Sequence, residues 1–148
     1  MVSYVYMRSG LLFAVFGAIS SALWTTFHFE AASKVHPIVG AIIVSIVAGS
    51  LGAVLLLFQY KSGMILVSKK GLLFLALLGV AAFCTDYFAL RMFASDFPLS
   101  VGGPILIGGS VALASIIGFF LGETITIQAV AGVVLVTIGA ALLSTVAR

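Results

Sequence analysis

Asparagine is missing from this 148-residue chain, cysteine occurs once, and only 7% of the residues are charged. Each shortage excludes something. A lone Cys84 rules out an intramolecular disulfide and any cysteine-based metal cluster, and reads as a small buried apolar residue. Soluble domains carry about 25% charged residues, so the scarcity of charge excludes an ordinary water-soluble fold. The seven Lys and Arg residues stand at the ends of apolar segments instead of forming a stripe, which argues against nucleic acid and for anchoring at a membrane interface. No Gly-x-Ser-x-Gly, His-Glu-x-x-His or phosphate loop is present, and no two acids share an apolar run. The chain therefore reads as no enzyme, with no catalytic residues and no cofactor. His28 and His36 have no further ligands around them to make a metal site.

What fills the chain is apolar: 63% of residues are hydrophobic and the mean hydropathy is +1.35. The apolar runs fall at approximately 11–32, 37–58, 71–93, 98–121 and 125–146. Each is close to the roughly 20 residues that span a bilayer as a helix. The sequence predicts one all-α integral membrane domain over 1–148, with five transmembrane helices, multi-pass in the cell membrane, its main partner the lipid bilayer. Arg8, the apolar stretch Leu11–Gly17 and Ala18-Ile19-Ser20 imitate a secretory signal, but the stretch is read as the first helix. With the N-terminus in the cytoplasm, Arg8, Lys61, Lys69 and Lys70 lie inside against Lys34, Arg91 and Arg148 outside. A split of four to three barely fixes orientation.

Polar residues inside such runs are the candidates for function, because lipid offers them nothing. Gly17, Ser21, Trp24, Thr25 and His28 recur at helical spacing and share one face of the first helix. Trp24 is either an interfacial belt aromatic or a stacking surface, and His28 either an interfacial histidine or part of a site. Asp86 lies roughly 21 Å along its run from Leu72 at about 1.5 Å per residue, in the outer third of a core of about 30 Å. Trp24 and Pro104 come out at comparable depth, roughly 9–11 Å from the far boundary. The bland reading of Asp86 is a structural partner for Arg91 or a nearby hydroxyl, yet five positions along one helix do not face each other. Gly102-Gly103-Pro104 predicts an interruption of the fourth helix, since Pro104 has no N–H for the Ser100 carbonyl. Interruptions of this kind either expose backbone groups to a solute or amount to a packed kink. Ala41, Ser45, Gly49 and Ala53, and again Ser110, Ala114, Gly118 and Gly122, form ridges of small residues that admit close helix contacts. Glu123 is expected to cap the last helix, which carries Gln128, Gly132 and Gly139 on one stripe.

Tyr87, Ala89, Leu90 and Arg91, then Gly122 and Glu123, then Gln128, Gly132, Leu135 and Gly139 together resemble one EamA-type domain of the drug/metabolite transporter superfamily. Trp24 followed by the Pro-led second helix at Pro37 adds to the resemblance. Thr25 stands where the pattern usually has Gly, and the second helix lacks the pattern's Arg. The resemblance implies half of a ten-helix transporter that moves a small organic solute, a metabolite or drug, by alternating access. The substrate-binding candidates are Trp24, Thr25, His28, Asp86, Tyr87 and Pro104, with Trp24, which the resemblance favours, as a stacking surface, Asp86 as the charge-sensing or proton-exchanging group, and the Gly102–Pro104 break as a gate or backbone site. A lone half implies a homodimer, antiparallel if the second half enters inverted. The alternatives are a subunit of a lipid-linked sugar flippase and a small dual-topology ion channel, although the Asn-rich and Gly-rich pore signature of the latter is missing.

Overall fold

The computed structural model describes residues 2–61, 67–122, 124 and 126–146, with side chains from Leu12 onward except those of Ser144 and Val146. Five helices follow one another: α1 Val2–Ala32, α2 Pro37–Gln59, α3 Lys69–Phe93, α4 Leu99–Phe120 and α5 Ile127–Val146. By length and composition, four of them suffice to cross a membrane among the described residues, the span of α1 being Leu12–Ala32. The apolar part of α5 is shorter, Ile127–Leu143, so the expected fifth span rests on a helix of 20 residues, about 30 Å at 1.5 Å per residue.

The helix ends follow from local chemistry. Pro37 opens α2 in the first-turn position that needs no N–H, after an extended His36. Ser68 begins α3 by accepting a hydrogen bond from the Gly71 N–H at 3.0 Å, which moves the start two residues ahead of the expected Gly71. Asp96 takes a left-handed φ of 60° between α3 and α4, a conformation Asp tolerates through its short polar side chain. Gly122, at φ 87°, ends α4 where a Cβ would be strained. The Ala129 N–H donates to Thr126 Oγ1 at 3.2 Å, so Thr126 caps α5. Glu123, the residue expected in that role, lies outside the described residues, as do residues 62–66 between α2 and α3, Arg148 and the side chain of Arg8.

The chain divides into two compact units, Met1–Phe27 with Ser95–Arg148, and His28–Ala94. In the first, α4 packs on α5. The contact is close at Gly108, where a Cβ would stand 3.2 Å from Val136 Cγ1 and 3.4 Å from Ala140 Cβ. In the second, α2 packs on α3. Gly40 and Ala41 of α2 and Ala89 and Leu90 of α3 are buried, and the Phe29 and Phe93 rings meet edge to face at 5.5 Å. Elsewhere the helices turn their apolar side chains outward, Phe13, Leu57, Phe58 and Phe120 among them. Over an apolar 18-residue stretch of each of the four spans, no more than 17% is buried within the protein. Cys84 belongs to this outward surface: it is exposed, contrary to expectation, because an apolar residue in lipid needs no protein cover.

Candidate functional site

The buried polar residues among those described are Thr25, His28 and Asp86. In the unit His28–Ala94, His28 and Asp86 come together: Nε2 of the imidazole stands 3.2 Å from Oδ1 of the carboxylate, an ion-pair distance. Their relative exposures are only 4% and 7%. His28 lies in the last turns of α1 and Asp86 two turns from the end of α3. The packing of Phe29 on Phe93, and of Gly40 on Leu90, lies on the C-terminal side of both members of the pair in sequence and holds the helix segments that carry it. An imidazole beside a carboxylate sets a ring nitrogen against an acceptor oxygen and gives the interior a polar point that can hydrogen-bond a solute.

Tyr87 is half-buried, and its hydroxyl accepts a hydrogen bond from Arg91 Nη1 at 2.7 Å. Arg91 is exposed and is taken up by the tyrosine one turn back, as helical spacing favours.

In the unit Met1–Phe27 with Ser95–Arg148, Thr25 is buried with its hydroxyl donating to the Ser21 carbonyl at 2.8 Å. Its methyl faces Gly103, where a Cβ would come 3.2 Å from Thr25 Cγ2; the glycine is what lets α1 and α4 approach there. Trp24 is half-buried, whereas Ser21 on the same expected stripe is exposed. Pro104 is partly buried, and α4 runs through it as a continuous helix from Leu99 to Phe120. The expected interruption does not occur: the proline lies in the second turn, where its lost N–H removes one bond and leaves the rest of the ladder intact. Pro104, Thr25, Gly103, Gly108 and Gly139 line a groove of about 470 Å³. The hydroxyls of Thr25 and Thr26 both bond backbone carbonyls of their own helix, which leaves the groove apolar. No group of three or more metal-ligating side chains is present among the described residues.

Membrane-length apolar helices with a histidine and an aspartate buried side by side define an integral membrane protein that keeps polar chemistry out of lipid. The chain belongs to the EamA-like transporter family, whose model matches residues 8–145. It is thereby a multi-pass membrane protein of a family of solute transporters rather than enzymes. No curated protein and no solved structure matches the chain.

The sequence marks His28 and Asp86 separately and assigns neither to the other. The signal was in the depth arithmetic: in an alternating five-span chain the first and third helices run the same way. His28 comes out roughly 25 Å from Leu11 and Asp86 roughly 21 Å from Leu72.

Proposed function

We propose that the chain moves a small organic solute, a metabolite or drug, across the cell membrane by alternating access, as one five-helix half of a homodimer whose second copy is inverted. The observation that carries this reading is the buried His28–Asp86 pair. Ionisable groups in a membrane interior are costly and serve solute or ion pathways by default. The family supplies the transport activity, and the pair supplies a polar point within an otherwise apolar protein. An inverted pair of halves places the solute between them and lets one rock against the other. Gly49, Gly52, Gly132 and Gly139, where an added Cβ meets nothing within 4 Å, offer small-residue surfaces for a second copy. Trp24 gives an aromatic face for stacking, and Thr25, Tyr87 and Pro104 complete the candidate set.

The test is uptake into proteoliposomes from a panel of amino acids, nucleobases and cationic drugs. Asp86→Asn keeps the carboxylate's shape and removes its charge. It is expected to retain folded yield while uptake falls at least about tenfold, as for loss of one charge-assisted contact. Uptake equal to wild type would defeat the assignment of Asp86.

A further inference from the structure

In the unit His28–Ala94, Arg91 stands roughly 30 Å along α3 from Gly71 at about 1.5 Å per residue, the full depth of a hydrocarbon core of about 30 Å. Its guanidinium is therefore at the level of the lipid headgroups, which extend about 5–7 Å beyond the core on each side. The ion pairs among the described residues are His28–Asp86 and Lys34–Glu30, so no described carboxylate stands within ion-pair distance of Arg91. Instead the exposed Arg91 donates through Nη1 to the Tyr87 hydroxyl at 2.7 Å. That bond uses one of five N–H donors and fixes the fork without cancelling its charge. The tyrosine hydroxyl, accepting from arginine, keeps its own proton to donate. The turn beneath is held in place: Leu90 is buried, Phe93 meets Phe29 edge to face at 5.5 Å, and the Tyr87 ring meets Phe88 edge-on at 5.2 Å. A positioned fork beside a hydroxyl donor is a site for an anion, and at this depth the anion at hand is a phosphate.

The helix face below Arg91 fits the rest of a lipid. Leu77, Cys84 and Phe88 fall at helical spacing from Arg91, and all three are exposed. We infer that Arg91 and Tyr87 bind the phosphate of an anionic phospholipid, one acyl chain of which lies along Phe88, Cys84 and Leu77. The strip alone selects nothing, because lipid tails are as apolar as leucine; selection is made at the head. A zwitterionic head brings its own ammonium to its phosphate, whereas an anionic head leaves a diester whose charge only the protein balances. Lys34, after α1, already has Glu30 at 3.4 Å. Lys61, Lys69 and Lys70 are exposed as well, but Lys70 is roughly 32 Å from Arg91 along α3 and meets the opposite leaflet. The inference goes beyond the transport reading and does not depend on it.

Cys84, the single cysteine of the chain, gives a local readout. It lies roughly 10 Å below Arg91 on the same strip and roughly 21 Å from Lys70. The full chain, labelled there with bimane, is reconstituted into vesicles of phosphatidylglycerol and phosphatidylcholine in equal parts, with brominated acyl chains on one lipid or the other. Both leaflets have the same composition, so the orientation of the chain does not enter. One headgroup charge matched by one arginine corresponds to about fivefold enrichment of phosphatidylglycerol beside the label. Brominated phosphatidylglycerol is therefore expected to quench more than brominated phosphatidylcholine, by a margin that shrinks as salt rises. Arg91→Gln is expected to bring the two lipids to equality, and Tyr87→Phe to lower the enrichment. Arg91→Lys, which keeps the charge and loses the fork, should retain only part of it. Lys70→Gln should leave it unchanged. Equal quenching in the wild-type chain, or a preference that survives Arg91→Gln, would overturn the site. So would a preference lost in Lys70→Gln, which would trace it to the other end of α3. Quenching by neither lipid would mean that a second copy covers the strip, and would overturn it too. Loss of the preference on adding inorganic phosphate, but not chloride at equal ionic strength, would assign the site to soluble phosphate and defeat the lipid reading. If Arg91→Gln does not fold, Arg91→Lys decides, since enrichment equal to wild type there would refute the fork.

Discussion

Replacing Gly40 by alanine probes the close contact between α2 and α3. A Cβ at Gly40 would lie 2.5 Å from Leu90 Cδ1 and 3.1 Å from Val35 Cγ2, against an optimum of about 3.5–4.0 Å between carbons. The shortfall at Leu90 is roughly 1 Å. A leucine methyl ordinarily swings aside at little cost, but Leu90 is only 1% exposed and has nowhere to swing. Overpacking of this size costs about 1–3 kcal/mol. Alanine's better helix propensity returns at most about 1 kcal/mol, less in the first turn of α2, where Gly40 sits. A net loss of about 1–2 kcal/mol lowers the melting temperature by about 2–8 °C in a chain of this size. Thermal unfolding in mild detergent, followed by size-exclusion of the heated sample, reads the shift. Gly49→Ala on the same helix is the control, since its Cβ meets nothing within 4 Å; it is expected to melt at or slightly above wild type. A Gly40→Ala protein that melts with Gly49→Ala would refute the packing argument.

The same logic applies to Gly103, whose Cβ would stand 3.2 Å from the Thr25 methyl: Gly103→Leu should reduce folded yield several-fold more than Gly109→Leu, which points into open space, as read by fluorescence-detected size-exclusion. Arg91→Gln removes an exposed group held by Tyr87, so stability should change by no more than about 0.5 kcal/mol and uptake should match wild type; a lost activity would place Arg91 in the solute path. With Cys84 replaced by alanine, a cysteine at Lys61 should react with an impermeant maleimide from both sides of the membrane if copies insert in both orientations. Labelling from one side alone would exclude the inverted homodimer.

Helix positions were legible because lipid makes the apolar run itself the signal: α2 begins at the expected Pro37 and α3 ends at the expected Phe93. The displaced ends have particular causes. Ser68 caps α3 ahead of Gly71, and α1 extends back to Val2 through polar and aromatic residues that hydropathy alone does not count as span. Pro104 misled because a proline early in a helix costs one bond, and sequence does not tell a tolerated proline from a break. Cys84 misled because small apolar residues are buried in soluble proteins, whereas here the outside is equally apolar. His28 and Asp86 were each visible as polar residues in apolar runs, while their pairing depends on how segments of α1 and α3 meet, which a residue-by-residue reading does not contain.

Stability alone gives no reason for that pairing. Taking an ion pair out of water costs several kcal/mol per ion before any attraction is counted, and buried pairs are commonly replaced by apolar residues with no loss. Within a membrane, a polar contact between helices contributes on average about 0.6 kcal/mol, because the separated helices find other partners. The unit that holds His28 and Asp86 already has its contacts elsewhere: Gly40 against Leu90, Phe29 against Phe93, Ala41 and Ala89 fully buried. Those apolar contacts need no charged neighbour to form. A protein that leaves most of its surface to lipid, and yet spends two of its few buried positions on a carboxylate and an imidazole, gains little fold from them. What the pair adds is an imidazole and a carboxylate held side by side inside the protein, in a family whose work is moving solutes across the layer that polar groups otherwise avoid.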